Sequence, residues 1–206
     1  MSIDSHIFLE VIEYASFLLS ALSYFLLAVL FSDALLVRFD LKTFFKSLGF
    51  ILLFGATVLN LLQSNYSGVT LWIMAAALSL LFWGFTLDPF SKFKFISPLP
   101  LVFLPFLNGH ILLFVLGLIT TIAIFQLSYT TSHRDFIPLG VGFTLMTVGE
   151  YFYYLESLEH LRALSGAGPF LYLFATIVLL GWAWSYLATR FINLIKSRPP
   201  EATAKL

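Results

Sequence analysis

The chain alternates long apolar runs with short polar turns, and the runs have the length of membrane crossings. A helical crossing of a bilayer core about 30 Å thick takes roughly 20 predominantly apolar residues. Three such runs come first, over residues 7–31, 44–62 and 69–87, separated by a basic loop with Arg38, Lys42 and Lys46 and by the polar turn Gln63-Ser64-Asn65-Tyr66-Ser67-Gly68. Asp88-Pro89 stops the third, because proline has no amide hydrogen to continue the helix. Three more runs cover residues 111–129, 136–155 and 169–195, divided by the turn from Thr130 to Asp135 and by a connector with Glu156, Glu159, His160, Arg162 and Gly166-Ala167-Gly168.

Between the two sets lies Asp88 to His110. Its core, residues 93–107, is apolar but holds Pro98, Pro100 and Pro105. As a helix it reaches only about 22 Å at 1.5 Å per residue. Partly extended, at about 3.1 Å per residue, it can span the whole core. Lys and Arg collect in short cytoplasmic loops, which turns this ambiguity into a count. With six crossings the eleven Lys and Arg divide six against five; with residues 93–107 as a seventh, only Arg162 lies opposite the other ten. The stronger bias selects seven crossings, with the N-terminus outside and the C-terminus cytoplasmic; six helices are the alternative.

Composition agrees with the pattern. A chain of 206 residues that is 60% hydrophobic and 11% charged is a polytopic, all-α membrane protein in contact with the lipid bilayer. Net charge is zero and no basic block is present, so nothing points to a nucleic-acid partner. With no cysteine, disulfides and thiolate metal sites are excluded. Acids stand where a signal peptide needs a positive segment, so the N-terminus reads as mature sequence.

The two sets also resemble each other. Residues 71–87 align without gaps on residues 171–187, and residues 48–64 resemble residues 141–157 with one gap allowed. The expected organisation is a single transmembrane domain, residues 1–206: a three-helix unit at 7–87, a linking crossing at 88–110, a second three-helix unit at 111–195, and a disordered cytoplasmic tail at 196–206. Parallel repeats joined by one crossing are similar in arrangement to sugar-transporting SWEETs and to microbial rhodopsins. No motif of either family is present. Residues 169–195 contain no lysine to form a retinal Schiff base, so no retinal is expected. There is no HExxH or HxxxH, and no GxSG paired with an intramembrane histidine.

With seven crossings, six of the eleven acids and three of the four histidines fall on the outer side: Asp4, His6, Glu10, Glu13, His110, Glu150, Glu156, Glu159 and His160. His6, Glu10 and Glu13 share one helical face by their spacing, and Glu156 and His160 stand four apart, a spacing that lets two ligands meet one ion. Carboxylate with imidazole suits a divalent metal, for which His6, Glu10, His110, Glu156 and His160 are the candidates. Glu150 lies inside the sixth run beside Gly149, Tyr151, Tyr153 and Tyr154. A charge within the membrane costs about 2.5–3.5 kcal/mol at a helix centre and therefore faces a partner or a cavity. Glu13, Asn60, Glu150 and Tyr154 are accordingly the candidates for binding a ligand or a proton.

No residue constellation assigns a catalytic role, so a non-enzymatic module is expected. The leading expectation is a sensor or receptor unit with an outward-facing acidic and histidine-containing vestibule, working with a separate effector protein or as a homo-oligomer. The alternatives are a small proton- or cation-coupled transporter and a metal-dependent intramembrane hydrolase using His6, Glu13, His110, Glu150 or His160.

Overall fold

The computed structural model describes residues 3–62, 68–87, 109–131, 134–157 and 166–196. Among them are six α-helices: α1 (Ile3–Val37), α2 (Leu41–Leu62), α3 (Gly68–Thr86), α4 (Gly109–Thr131), α5 (Ile137–Ser157) and α6 (Ala167–Lys196). All except α5 are long and apolar enough to cross a membrane. The chain is thus a helical integral membrane protein. The proposed crossing at residues 93–107 and the tail beyond residue 196 lie outside the described residues.

Local chemistry accounts for the helix ends. Asp40 caps α2, its carboxylate accepting from the Lys42 amide at 3.4 Å while its carbonyl accepts from Phe44. A 3-10 turn, Arg134–Phe136, leads into α5. Gly166 takes a left-handed conformation (φ 104°) just before α6, whose first turn holds Pro169, where a missing amide hydrogen costs nothing. One boundary differs from the sequence reading. Helix α2 starts at Leu41, so Lys42 and Lys46 are helical residues and not part of a loop.

The helices close a ring. Each packs on its neighbour in sequence, and α6 returns to α1. Within each set neighbours run antiparallel: Ser32 meets Ser47 while Tyr14 reaches the Leu61 carbonyl, and Phe136 meets Trp182 while Glu150 meets Tyr172. The seams between the sets are different. Leu71 packs on Gly109, and Thr120 Oγ1 donates to the Leu78 carbonyl at 3.2 Å, so α3 and α4 run in the same direction. Leu9 packs on Gly166, and Ser23 Oγ donates to the Thr176 carbonyl at 3.2 Å, so α6 and α1 also run in the same direction.

Close packing repeats between the sets as well. A Cβ at Gly49 would meet the Leu81 side chain at 2.7 Å and the Ala77 carbonyl at 3.1 Å. One at Gly142 would meet Leu179 at 2.5 Å and the Ala175 carbonyl at 3.4 Å. Both glycines let backbones approach where lipid supplies no hydrophobic drive. These contacts match Ala77 with Ala175 and Leu81 with Leu179, two residues out of step with the ungapped alignment of 71–87 on 171–187. Apolar sequences align at several registers, and only the contacts select one.

The ring is lined from all sides. Tyr24, Phe50, Leu53, Leu81, Leu113, Leu116 and Phe143 are among its largest fully buried side chains, and Phe50 meets Phe143 edge to face at 6.2 Å. On α1 the buried face carries Ser16, Ser20 and Ser23, whereas Val11, Leu18, Leu22, Phe25 and Val29 are exposed. Small polar residues inside and large apolar ones outside is the arrangement expected where the solvent is lipid.

Candidate functional site

At one end of the ring α1, α3, α4 and α6 begin and α2 and α5 end. There the sequence Gly149-Glu150 places a carboxyl inside the bundle. A Cβ at residue 149 would stand 2.7 Å from the Tyr172 ring, so glycine is what admits that tyrosine. Glu150 is 3% exposed. His110 Nδ1, on the first turn of α4, lies 2.8 Å from Oε2, and the Tyr172 hydroxyl of α6 donates to Oε1. Each carboxyl oxygen therefore meets a polar group from a different helix, Tyr172 donating to Oε1 and His110 Nδ1 bonding to Oε2 in the direction its tautomer sets. Helices α4, α5 and α6 are joined through one side chain.

Aromatic rings hold these groups in place. The His110 ring stacks on Tyr153 at 5.6 Å and 24°, and Tyr153 leans on Tyr172 at 5.8 Å and 59°. Nδ1 donates to an ionised Glu150 only when it carries the proton, and a fully protonated imidazole makes the contact an ion pair. Gain or loss of one proton thus changes the net charge of a group that bridges three helices, inside a low-dielectric environment.

Further in, the space beside Glu150 is narrow and mostly apolar. It amounts to about 10 Å³, lined by Leu53, Met74, Leu78, Leu113, Phe143 and Met146 among others, at the lower limit for holding a single water. The Tyr24 hydroxyl meets Met146 Sδ at 3.0 Å beneath it.

The structure brings some predicted residues together and separates others. Glu150 and His110, expected in two different roles, form one pair. Glu13 is partly buried on α1, where the charges of Glu156 and Glu10 act on it, and Glu13, Glu150 and Glu156 all act on the Tyr153 hydroxyl. Asn60 stands near the end of α2 with both amide atoms sealed from solvent and without a hydrogen-bond partner. Glu10 and Glu156 are exposed. Tyr172, which was not among the candidates, donates to Glu150. The His6 side chain and His160 lie outside the described residues. Among the described residues no three His, Asp or Glu side chains gather as a metal-binding group.

Compared with known proteins, the chain matches no family model, no curated protein and no solved structure. Its chemistry rests on its own geometry.

Two features were missed from sequence. Tyr172 sits in an apolar run with no polar neighbour to mark it; the available signal was that a tyrosine buried in a crossing needs a partner for its hydroxyl. Lys46, at the other end of the ring, is 6% exposed, with Nζ 4.6 Å from the centre of the Phe85 ring and 6.0 Å from that of Phe31. Gly84 makes room for it, since a Cβ there would stand 2.7 Å from Lys46 Cγ. That end also carries a groove of about 830 Å³ lined by Arg134, Asp135, Trp182 and Tyr186 among others, remote from Glu150.

Proposed function

We propose that the protein is a membrane sensor module whose recognising element is the buried Glu150–His110 pair, read out through the packing of α4, α5 and α6. The observation that carries this is the clamp itself: one buried carboxyl bonds to His110 and Tyr172 on two other helices. Protonation of Glu150, or capture of a small cation beside it, weakens or replaces those bonds and shifts how three helices meet. The narrow space beside Glu150, about 10 Å³, favours local recognition over passage through the ring. The test is pH-difference infrared spectroscopy of the reconstituted protein. A carboxyl band that titrates, vanishes in Glu150→Gln and shifts in Tyr172→Phe is the expected result; a titration indifferent to both substitutions excludes the pair as the sensing group.

A second reading, a small transporter, is favoured by the recurrence of contacts between the two sets of helices. Seams that join parallel helices are surfaces along which two units can rock. Proton flux into proteoliposomes that is abolished by Glu150→Gln selects this reading, and titration of the pair without flux selects the sensor.

Both readings share a topology of seven crossings with parallel three-helix units and the N-terminus outside. Its support is the parallel run of α3 and α4. Helix α3 is 19 residues long, about 28 Å, so the chain leaves α3 one bilayer core away from where α4 begins. A reporter fused after Lys205 is expected to be cytoplasmic, and one fused before Ile3 external. Reporters on the same side select six crossings.

A further inference from the structure

The recurring contacts allow the two halves of the ring to be compared residue by residue. Ser23 and Thr120 are equivalent: each donates across a seam and also to the carbonyl four residues back, Leu19 and Leu116. Gly49 and Gly142 are equivalent by their leucine and alanine contacts. Ten residues before Ser23 is Glu13, and ten before Thr120 is His110. Eleven residues after Gly49 is Asn60, and eleven after Gly142 is Tyr153. The stacked His110–Tyr153 pair of the second half thus corresponds to Glu13 and Asn60 in the first. Independently, the Tyr14 hydroxyl donates to the Leu61 carbonyl at 3.2 Å, which brings the residues following Glu13 and Asn60 to one level.

We infer that Glu13 and Asn60 form a second recognition site at the same end of the ring, and that it takes a protonated primary amine. Asn60 Oδ1 is buried without a partner, a cost that a ligand donating to it removes. Ser20 lies seven residues along the same face of α1 from Glu13, 2% exposed, and its hydroxyl also lacks a partner. Unpartnered polar groups and a partly buried carboxylate on adjoining helices ask for a ligand that brings both positive charge and hydrogen-bond donors. The negative charges of Glu10 and Glu156 act at Glu13 and reinforce the preference for a cation. A primary ammonium offers three N–H donors, two of which suit the Glu13 carboxylate and Asn60 Oδ1. Thr57, equivalent to Glu150, bonds to its own helix at Leu53, so this half holds one recognising carboxylate where the other has a histidine–carboxylate pair.

The inference rests on the reading that this end of the ring recognises solutes, but not on titration of Glu150. It is tested by calorimetric titration of methylammonium into the whole protein in nanodiscs of zwitterionic lipid. Saturable binding is expected, with no competition from tetramethylammonium, which has no N–H donor, and no equal competition from sodium. Glu13→Gln is expected to weaken it roughly tenfold or more, the loss of a charged hydrogen bond, and Asn60→Leu to weaken it by a smaller factor. Glu13→Asp, which keeps the charge, is expected to fall between wild type and Glu13→Gln, and separates loss of recognition from misfolding. Absence of saturable binding overturns the inference, as does binding indifferent to Glu13→Gln and Asn60→Leu. Loss of binding in Glu150→Gln alone assigns the amine to the other pair and also overturns it. The infrared titration of Glu150 is read separately, so either result can fail without the other.

Discussion

His110→Leu is expected to destabilise the bundle by about 1–3 kcal/mol, the cost of leaving a buried hydrogen-bonding group unsatisfied. Glu150 is 3% exposed and bonds to His110 and Tyr172, so leucine at 110 leaves a buried carboxyl oxygen without its partner. The carboxyl must then stay neutral or draw water into a space of about 10 Å³. Tyr172→Phe removes the other partner and is expected to cost about 1.5–3 kcal/mol, the worth of a hydrogen bond to a charged group. The double variant His110→Leu/Glu150→Leu is the decisive comparison. With both polar partners replaced by apolar side chains of similar size, it is expected to recover most of the loss. Reversible unfolding in mixed micelles measures all three. A double variant no more stable than His110→Leu shows that the histidine acts through ring stacking on Tyr153 and not through the carboxyl.

Gly142→Val and Gly49→Val are expected to be among the damaging changes away from that pair. Each adds a branched side chain where a Cβ alone would stand 2.5 Å and 2.7 Å from Leu179 and Leu81, with the Ala175 and Ala77 carbonyls behind. Leucine can turn aside but a backbone carbonyl cannot, so the helices must separate, at about 1–3 kcal/mol for each substitution. Gly55 and Gly181 are the controls, because nothing lies within 4 Å of a Cβ at either. Valine there is expected to change stability by less than about 0.5 kcal/mol, as at ordinary surface positions. If the four substitutions behave alike, loss of glycine flexibility is the cause and close helix approach is not.

Much of the architecture was legible because the solvent dictates it. In lipid every backbone polar group must be satisfied within its own helix, so runs of apolar residues of bilayer length mark the helices one by one. The described helices follow the expected runs, with ends that differ where local chemistry acts: α1 continues through Asp33 to Val37, and Asp40 starts α2 before the expected Phe44. Glu150 and Glu13 were legible for the same reason, since an acid in such a run must have a partner or a cavity.

What escaped was everything that depends on which helices meet. His110 and Glu150 are 40 residues apart, and no periodicity relates them. Tyr172, 22 residues from Glu150, was not singled out, because closeness in sequence was the only guide to partnership. Lys46 was assigned to a loop by its charge, yet the aromatic faces of Phe31 and Phe85 and the space above Gly84 let it lie inside.

By itself, then, the sequence determined the solvent, the helices and the acids that need partners. These follow from transfer free energies and helical geometry, which act residue by residue. Only the tertiary structure decided that α3 and α4 run parallel, that α6 closes on α1, and that Glu150 is shared by His110 and Tyr172. Those outcomes are set by close approach at Gly49, Gly142 and Gly149 and by hydrogen bonds across the seams, and such contacts exist only once the helices have packed.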